Sequence, residues 1–539
     1  MENLYQINCA IKSYIQPFER VLAFKELEAL AGSNPLPITG NELDSLNFSV
    51  QSKFSQKELA NRLAYWERVY NGNELGHIVT KQVRVEATTT LLKKDNYPLD
   101  FQALLPFNGN VPKINRRNLR YGPHGIHEYR GKFFPQLVRS LLNISGASES
   151  SKVMDPMCGS GTTLVESMLM GCQTFGLDLN PLSVFISQTK CDVLNVDPEL
   201  LEEQYKTLRQ QILNQTVSKR DKLKWFLRLS IKDQEYLKNW FSEDVLVQLD
   251  NIVARIEKVE EVVCKNLFKV ALSNIIRNVS WQKDDDLRVR KHVPENLEVN
   301  VSKLFLDELD RSVNSILVLL YENQGLNTGK NQLLEGDGRK SAQIFKNQVG
   351  KIDTIITSPP YATALPYLDT DRLSLYYLDF LSRSGHRERD YDMIGNREIT
   401  KTRREAYWTY YLKNKELLTK EIVELIDLIY NLNQKNKVGF RRENLPPLLS
   451  KYFFDMKRIF ESYKLLLRQG GMAFVVVGNN HTNSGDTRIE IETDNLLAKL
   501  GESCGLILEE KLSMDMLVSR DIFKKNAGNA ESILFFRKA

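Results

Sequence analysis

The residues best suited to chemistry form a short polar corner at 357–361. They are Thr357, Ser358, Pro359, Pro360 and Tyr361. The apolar, mostly β-branched run before them, residues 352–356, predicts a buried parallel strand. Two consecutive prolines cannot continue a hydrogen-bonded ladder, so we expect the strand to stop at Ser358. The corner would then stand at the carboxyl end of a strand, where open α/β sheets bind their ligands.

This corner offers the groups that a planar amine needs. The Ser358 hydroxyl and the Pro359 carbonyl can each accept an N–H, and the Tyr361 ring provides a face for stacking. A nucleobase with an exocyclic amine would fit, which predicts a site for modifying that amine. The same tetrapeptide is also typical of a polyproline-like exit from a strand, so a second motif must decide between the two interpretations.

That second motif is a glycine-rich turn about two hundred residues earlier. It consists of Asp155, Pro156, Met157, Cys158, Gly159, Ser160, Gly161, Thr162 and Thr163. Residues 152–154 predict a strand before it, and residues 164–170 predict a helix after it. A second strand over 173–177 leads to Asp178 and Asn180. Strand, glycine turn, helix, strand and acid in this order predict a nucleotide site in which the acid contacts a ribose.

The charge of the turn indicates which nucleotide it binds. No Gly-Lys-Ser/Thr follows its second glycine, so it is not a phosphate loop, and Asp155 would repel a pyrophosphate. A carboxylate suits a cation, and S-adenosylmethionine carries an ammonium and a sulfonium. Asp337 ends a further predicted strand about twenty residues before Ser358, where it could accept a hydrogen bond from the adenine amine. A helix N-cap is an equally good interpretation of Asp337.

Composition describes a mildly basic globular chain. Its 539 residues allow about two to four domains, and 42% hydrophobic with 26% charged residues excludes a disordered or fibrous protein. No apolar run reaches the ~18 residues that span a bilayer and residues 1–4 lack a signal-peptide pattern, so we expect a cytoplasmic protein. The six cysteines lack metal-binding spacing, and no metal site is expected. A net charge of +5 permits a nucleic-acid partner without requiring one.

The motifs divide the chain into a discontinuous core and three additions. We expect an accessory domain over 1–112, a core over 113–191, 325–381 and 451–539, a helical insertion over 192–324, and a basic, aromatic insertion over 382–450. Helical spacing predicts helices over 56–70 and 451–467. Residues 507–512 and 533–536 predict an antiparallel closing pair of edge strands.

Two stretches combine basic with aromatic residues, which can contact phosphates and stack on bases. The first lies over 113–134, where a solvated charged face is an equally good interpretation. The second is the insertion over 382–450. It is the favoured region for gripping nucleic acid, although an exposed helical subdomain stays open. Its predicted contacts are Arg397, Lys401, Arg403, Arg404 and Arg441.

Together, the two motifs resemble those of the amino-methylating DNA methyltransferases, which methylate cytosine N4 or adenine N6. Residues 155–163 are similar to the family's cofactor loop. Residues 357–361 are similar to its catalytic motif, in the serine form more often met in cytosine-N4 enzymes. Phe133, after Lys132, is similar to the segment that completes the methionine pocket. The resemblance covers about half of the chain.

The resemblance implies a Rossmann-like, class I S-adenosylmethionine-dependent methyltransferase. It implies double-stranded DNA as partner, with the target base flipped, and site-specific methylation, most readily at cytosine N4. The setting would be a prokaryotic nucleoid and a restriction-modification or phage-defence system, in which a cognate restriction endonuclease could act beside it. Catalysis would fall to Ser358, Pro359, Pro360 and Tyr361, and cofactor binding to Lys132, Phe133, Asp155, Pro156, Cys158, Gly159, Gly161, Thr162, Thr163, Asp178, Asn180 and Asp337.

Other functions compete with this one. An adenine-N6 DNA or RNA amino-methyltransferase would use the same corner, and a nucleic-acid-binding protein could retain the fold without catalysis. Cytosine-C5 methylation needs a nucleophilic cysteine, commonly after proline, and the chain contains no Pro-Cys dipeptide. The family's large recognition domain has no counterpart between Asp337 and Ser358. We therefore expect recognition from the accessory domain or from one of the two insertions.

Overall fold

The chain folds around a seven-stranded sheet with a smaller five-stranded sheet beside it. The computed structural model describes residues 4–41, 44–72, 76–92, 114–129, 131, 133–214, 223–283, 291–293, 299–323, 327–362, 367–436, 438–514 and 531–539. Within these ranges, no helix combines the length and apolar character that a membrane span requires.

The N-terminal residues build an antiparallel sheet in the spatial order β2-β3-β1-β4-β5. Its elements are β1 (Tyr5–Ile11), α1 (Pro17–Ala31), β2 (Leu36–Pro37), β3 (Asn47–Ser52), α2 (Gln56–Arg62), β4 (Trp66–Tyr70), β5 (Ile78–Val79) and α3 (Lys81–Leu92). The prediction of one helix over 56–70 is wrong in its second half. β4 pairs with β1, and the Trp66 ring meets Phe48 edge to face, so tertiary packing overrides the helical spacing.

The central sheet contains five parallel strands and an antiparallel pair. The core strands and a separate hairpin are β6 (Lys152–Asp155), β7 (Gln173–Asp178), β8 (Asn331–Glu335), β9 (Ile352–Thr357), β10 (Leu467–Gly478), hairpin strands β11 (Asn480–Ser484) and β12 (Thr487–Ile491), β13 (Ile507–Met514) and β14 (Glu531–Arg537). Across the sheet the order is β13-β14-β10-β9-β6-β7-β8. The predicted Rossmann-like fold is confirmed.

This order contains a switch point between β6 and β9. From β6 the chain proceeds through β7 to β8 at one edge, and then returns to β9 and β10 on the other side of β6. The connections leaving β6 and β9 therefore diverge, which opens a crevice at the carboxyl ends of these two strands. Both sequence motifs follow these strands directly, because Asp155 ends β6 and Thr357 ends β9.

The remaining helices cover both faces of the sheet or build the insertion over 192–324. They are α4 (Pro135–Ile144), α5 (Thr162–Met168), α6 (Pro181–Asp192), α7 (Pro198–Leu213), α8 (Ile231–Lys238), α9 (Glu243–Ile256), α10 (Val262–Ile276), α11 (Val301–Glu322), α12 (Ser341–Ile344), α13 (Tyr367–Tyr377), α14 (Arg383–Asp392), α15 (Lys401–Asn414), α16 (Lys420–Asn436), α17 (Phe440–Leu466) and α18 (Thr493–Ser503). Neighbouring strand residues alternate between two hydrophobic clusters: Ile355 belongs to the cluster of α17, and Ile356 to that of α1 and α4.

Two boundary predictions need correction. The 507–512 and 533–536 segments do pair antiparallel, but β14 lies inside the sheet between β13 and β10, because both of its faces are apolar and buried. The helix predicted over 451–467 begins eleven residues earlier, at Phe440, and contains Pro446 and Pro447. The Arg442 carbonyl, which loses its helical partner at Pro446, accepts a hydrogen bond from the Asn433 side chain at 2.7 Å.

Candidate active site

One cavity at the switch point brings the two motifs together. It has a volume of about 330 Å³, which lies within the usual range for small-molecule sites, about 300–1,000 Å³. Gly159 and Asp178 line it from the side of β6 and β7. Ser358, Pro360 and Tyr361 line it from the side of β9. A cofactor and a substrate group bound in this cavity would be neighbours.

The glycine turn is shaped for close approach of its backbone. Gly159 and Gly161 have φ angles of +50° and +79°, in the left-handed region that favours glycine. A Cβ at Gly159 would lie 3.0 Å from the Tyr129 ring, and one at Gly161 would lie 2.9 Å from Ser187. The turn is held by the Ser187 hydroxyl, which donates to the Gly159 carbonyl at 2.6 Å. The two glycines therefore leave the room that Tyr129 and Ser187 occupy, and Gly159 itself lines the cavity.

Asp178 lies at the carboxyl end of β7 and lines the cavity. Its carboxylate accepts hydrogen bonds from the backbone N–H groups of Gly159 and Asn180, each at 2.8 Å. Burial raises the pKa of Asp178 to about 6, although these N–H groups oppose the rise. The Asn180 side chain faces elsewhere and caps α6 by accepting from the Leu182 N–H at 3.1 Å. Asp178 is thus the predicted acid that stands beside the glycine turn.

Other residues of the glycine turn are buried around it. Asp155 is buried outside the cavity wall and accepts a hydrogen bond from the Met157 N–H at 3.2 Å; burial raises its pKa to about 7. Thr162 and Thr163 are buried in the first turn of α5, and the Thr163 hydroxyl donates to the Ile356 carbonyl. Cys158 is buried, and burial raises the pKa of its thiol. Its thiol is therefore unsuited to act as a nucleophile.

The remaining predicted cofactor residues fall into three groups. Pro156 and Phe133 line the cavity, whereas Lys132 lies outside the described residues. Asp337 takes the N-cap position that its sequence also allowed: its carboxylate accepts from the Arg339 backbone N–H at 3.0 Å and from the guanidinium at 2.8 Å. Gly336 and Gly338, on either side of it, line the cavity instead.

The corner that contains Ser358 and Tyr361 packs against the end of β10. The Tyr361 ring rests on Gly478, where a Cβ would approach a ring carbon to 2.8 Å. Gly395, with φ of +75°, packs against Pro360, and a Cβ there would meet the Tyr361 carbonyl at 2.7 Å. Pro359 is buried, while Ser358 is half-buried and faces the cavity. The aromatic face and the hydroxyl are therefore fixed in relation to each other.

Several cavity residues were not predicted from the sequence. Tyr129 lies over Gly159 and accepts a hydrogen bond from the Ser183 hydroxyl at 3.0 Å. Met393 and Ile394 form part of the wall. Glu531, the first residue of β14, accepts a hydrogen bond from the Tyr361 hydroxyl at 2.5 Å. No local motif marks these residues, because strand pairing and tertiary packing bring them to the cavity.

The basic residues predicted to grip nucleic acid are exposed or half-buried around α15. Lys401 pairs with Glu405 at 4.0 Å and Arg441 with Glu398 at 3.3 Å. The Arg403 guanidinium contacts Glu388 at 2.7 Å and lies 3.9 Å from the centre of the Tyr391 ring; Arg404 contacts Glu443. Arg397 is exposed three residues after Ile394. Exposed ion pairs of this kind are weak, so phosphates can compete for these cations.

In the stretch over 113–134, Lys113, Arg130 and Lys132 lie outside the described residues, and two of the aromatic residues do not form the predicted stacking surface. Tyr121 and His124 are buried and both contact one carboxylate oxygen of Glu166 at 2.8 Å. The other oxygen accepts from Arg139 at 2.8 Å. The alternative, a solvated charged face, is also wrong for these two residues, because they belong to a buried ionic cluster. In the described part of the chain, no group of three His, Cys, Asp or Glu side chains could hold a metal ion.

Comparison with known proteins agrees with this geometry. Residues 127–222 match a family described as UPF0020, an RMKL-like methyltransferase domain. The chain is 24% identical over 389 residues to Type II methyltransferase M.MvaI of Kocuria varians, covering 70% of this chain and 80% of the relative. It is 22% identical over 429 residues to Type II methyltransferase M.MjaII of Methanocaldococcus jannaschii, covering 66% and 78%.

A third relative matches a shorter segment. Over 52 residues the chain is 38% identical to the tRNA (guanine(10)-N2)-dimethyltransferase of Methanothermobacter thermautotrophicus, which covers 10% of this chain and 16% of that protein. The parallel sheet, the glycine turn and these matches define a class I S-adenosylmethionine-dependent methyltransferase, with S-adenosylmethionine as its cofactor. Within this class, the Type II relatives confirm the resemblance to the amino-methylating DNA methyltransferases that the two motifs predicted.

Proposed function

We propose that the chain is a site-specific DNA methyltransferase that methylates an exocyclic base amine, with cytosine N4 as the first candidate. The observation that carries this proposal is the shared cavity, in which Gly159 of the cofactor turn and Tyr361 of the catalytic corner are both wall residues. DNA is proposed as substrate because the relatives that span most of the chain are Type II methyltransferases. Cytosine N4 is proposed because of the serine at position 358.

The chain's own residues would prepare both reactants. Gly159 and Gly161 let the cofactor lie against the backbone, and the Asp178 carboxylate would accept hydrogen bonds from the ribose hydroxyls. Phe133 would cover the methionine end. The bound cofactor supplies an electrophilic methyl group on a sulfonium. On the substrate side, a flipped base would stack on Tyr361, at an unstacking cost of a few kcal/mol.

Ser358 and Pro359 would activate the amine. The lone pair of an exocyclic amine is delocalised into the base ring, and acceptors placed out of the ring plane draw its hydrogens toward a tetrahedral geometry. The Ser358 hydroxyl oxygen and the Pro359 carbonyl are proposed as these acceptors. With the nitrogen held next to the methyl group, orientation provides most of the rate enhancement. Pro360 keeps this backbone fixed through its contact with Gly395.

DNA would approach the cavity across the residues that follow its wall. Lys401, Arg403, Arg404 and Arg441 are proposed to exchange their carboxylate partners for backbone phosphates, and the exposed Arg397 is proposed to bind a phosphate beside them. The hairpin of β11 and β12 starts two residues after Gly478, and the Asn480 side chain donates to the Ala362 carbonyl at 3.3 Å. Replacing Arg397 and Arg441 with alanine should reduce the salt dependence of DNA binding by about one unit of slope per residue.

A second candidate is an adenine-N6 or RNA amino-methyltransferase. The segment shared with a tRNA methyltransferase favours RNA, although it spans 10% of the chain.

In the cell, we propose that the protein modifies host DNA beside a cognate restriction endonuclease. Mapping methylated bases in DNA from cells expressing the chain would identify base, position and sequence context together.

The decisive experiment combines methyl transfer with cofactor binding. Tritiated S-adenosylmethionine is offered with unmethylated DNA and with total RNA, and binding is measured by calorimetry. We expect transfer to DNA by the wild type. Ser358→Ala and Tyr361→Ala should lower the rate at least about a hundredfold while binding the cofactor normally. Ser503→Ala, at an exposed helix end, serves as the matched control. Transfer to RNA alone, or no transfer, would contradict the DNA assignment.

A further inference from the structure

Glu531 and Gly478 together position the side chain of Tyr361. The two residues face each other across the antiparallel pair of β10 and β14. Gly478 leaves the space that the Tyr361 ring occupies, and Glu531 accepts the hydrogen bond of its hydroxyl at 2.5 Å. A hydrogen bond to a carboxylate is shorter and stronger than one between neutral groups. Gly478 therefore positions the plane of the Tyr361 ring, and Glu531 fixes the hydroxyl end of that ring.

Glu531 also brings negative charge to a corner that otherwise has none. The polar groups of the motif are the Ser358 hydroxyl, the Pro359 carbonyl and the Tyr361 hydroxyl, all of which are neutral. Among the described residues of the cavity wall, the carboxylates are Asp178 and Glu531. Asp178 stands on the cofactor side and is engaged by two backbone N–H groups. Glu531 is thus the wall carboxylate that contacts the corner, through its hydrogen bond with Tyr361.

The proposed reaction generates positive charge at this corner. As the amine nitrogen forms a bond to the methyl carbon, the carbon–sulfur bond breaks and its electron pair stays on sulfur, which becomes neutral. The positive charge passes to the nitrogen, which then carries one proton too many. Loss of this proton restores a neutral, methylated amine. A negative group fixed beside the nitrogen would favour this step more than it favours substrate binding.

We propose that Glu531 is a positioning residue for Tyr361 and supplies, through that hydrogen bond, the negative charge that balances the amine as it becomes cationic, while the proton of the amine passes to solvent. This inference rests on the proposed function. The hydrogen bond makes the Tyr361 ring more electron-rich, so its face also attracts the cationic base more strongly. The structure thus assigns the charge that the neutral serine motif lacks to a strand about 170 residues later.

Two substitutions separate the two roles. Glu531→Gln retains an oxygen that can accept from the Tyr361 hydroxyl but removes the charge, whereas Glu531→Ala removes both. Glu502→Gln, on the exposed face of α18, is the matched control. The titratable groups around Glu531 are Tyr361 and Asp178 in the cavity, with Asp494 bound to Ser532 and Lys511 on the adjoining elements. These are unchanged in the variants.

The test uses the full chain and two duplexes: one contains the site methylated by the wild type and is used for kinetics, and the other carries 2-aminopurine in place of the target base and reports flipping and stacking. We expect Glu531→Gln to keep cofactor binding, the fluorescence signal and the KM for DNA, and to lose about ten- to a hundredfold in kcat. Glu531→Ala should in addition change the fluorescence signal and raise the KM for DNA.

Three results would overturn the inference. The first is a Glu531→Gln variant with the kcat of the wild type. The second is loss of the fluorescence signal or of cofactor binding in Glu531→Gln, which would reduce Glu531 to a structural support. The third is a wild type that transfers no methyl group to DNA, which would refute the proposed function itself and is distinguished from the others because it involves no variant.

Discussion

The ring of Tyr361 lies directly on the backbone of Gly478, so closely that a single added carbon at Gly478 would approach a ring carbon to 2.8 Å. Real side-chain carbons do not come this near to an aromatic ring. The orientation of the Tyr361 ring therefore depends on the absence of a side chain at Gly478. It is a steric relationship, independent of the glycine's conformational freedom.

Gly478→Ala should displace the Tyr361 ring and lower kcat for methyl transfer by about ten- to a hundredfold, because a misplacement of about 1 Å can have this effect. Cofactor affinity should stay within about twofold of the wild type, since Gly159 and Asp178 are untouched. Steady-state kinetics and calorimetry provide the two measurements. Gly439→Ala, at a position with open space around it, is the control. Unchanged kcat would show that the ring tolerates the added carbon.

Gly161→Ala should reduce S-adenosylmethionine affinity at least about tenfold. Alanine at a φ of +79° costs about 1 kcal/mol, and its Cβ would also meet Ser187 at 2.9 Å, so the turn must move. Gly32→Ala has nearly the same φ, +77°, but nothing within 4 Å, and it therefore isolates the backbone strain. Calorimetry on both variants distinguishes the two effects. Equal losses of affinity would contradict a specific role for the turn.

Cofactor affinity should fall as the pH drops below about 6. Burial raises the pKa of Asp178 to about 6, so in the folded protein it is protonated over a range where the unfolded carboxyl, near 3.8, is ionised. Its contribution to stability is therefore fully present below pH 4 and is lost as the pH rises through 6. The cationic cofactor favours the ionised form. We expect affinity to decrease by up to about tenfold per pH unit below 6.

The control for this pH dependence is Asp178→Asn, which retains a hydrogen-bond acceptor without titrating. Calorimetry between pH 5 and pH 8 should show a flatter profile in this variant and a lower affinity at pH 8. The same pH dependence in both proteins would assign the titration to another group.

Glu166→Gln should destabilise the protein by about 3–5 kcal/mol, because it leaves Arg139 buried without its opposite charge. Burial alone would raise the pKa of Glu166, but Arg139 and His124 hold it near 2. The stabilisation is therefore present above the ordinary value of 4.5 and is lost as the pH falls through 2. Urea unfolding at pH 7 measures the difference, and exposed Glu502→Gln should stay within about 0.5 kcal/mol of the wild type.

Prolines and glycines at strand ends explain why half of the site could be predicted from the sequence. Prolines at 359 and 360 end β9, and the glycines at 159 and 161 form the turn after β6. The sequence therefore predicted which residues lie at these strand ends. Because the carboxyl ends of parallel strands share one edge of the sheet, the two motifs were expected to meet, and both line one cavity.

The other half depends on pairing between distant segments. Glu531 reaches Tyr361 only because β14 inserts beside β10, and the sequence predicted β14 at the edge. The prediction of a stacking surface over 113–134 was wrong for Tyr121 and His124 because it was based on composition. The aromatic and basic residues of this stretch have the composition of a nucleic-acid surface, yet Tyr121 and His124 are buried against Glu166, more than forty residues away. Composition does not reveal a buried partner.

The N-terminal sheet shares one hydrophobic cluster with the catalytic sheet. Trp66 and Phe18 of the first region are buried together with Val153 of β6 and Phe474 of β10. The N-terminal sheet and α1 therefore pack against the sheet that carries the two motifs, and removing them would expose that apolar surface. Any change of the N-terminal region that alters sequence preference must keep this apolar face covered. A chimera joined near residue 113 would need a replacement segment whose shape matches the face.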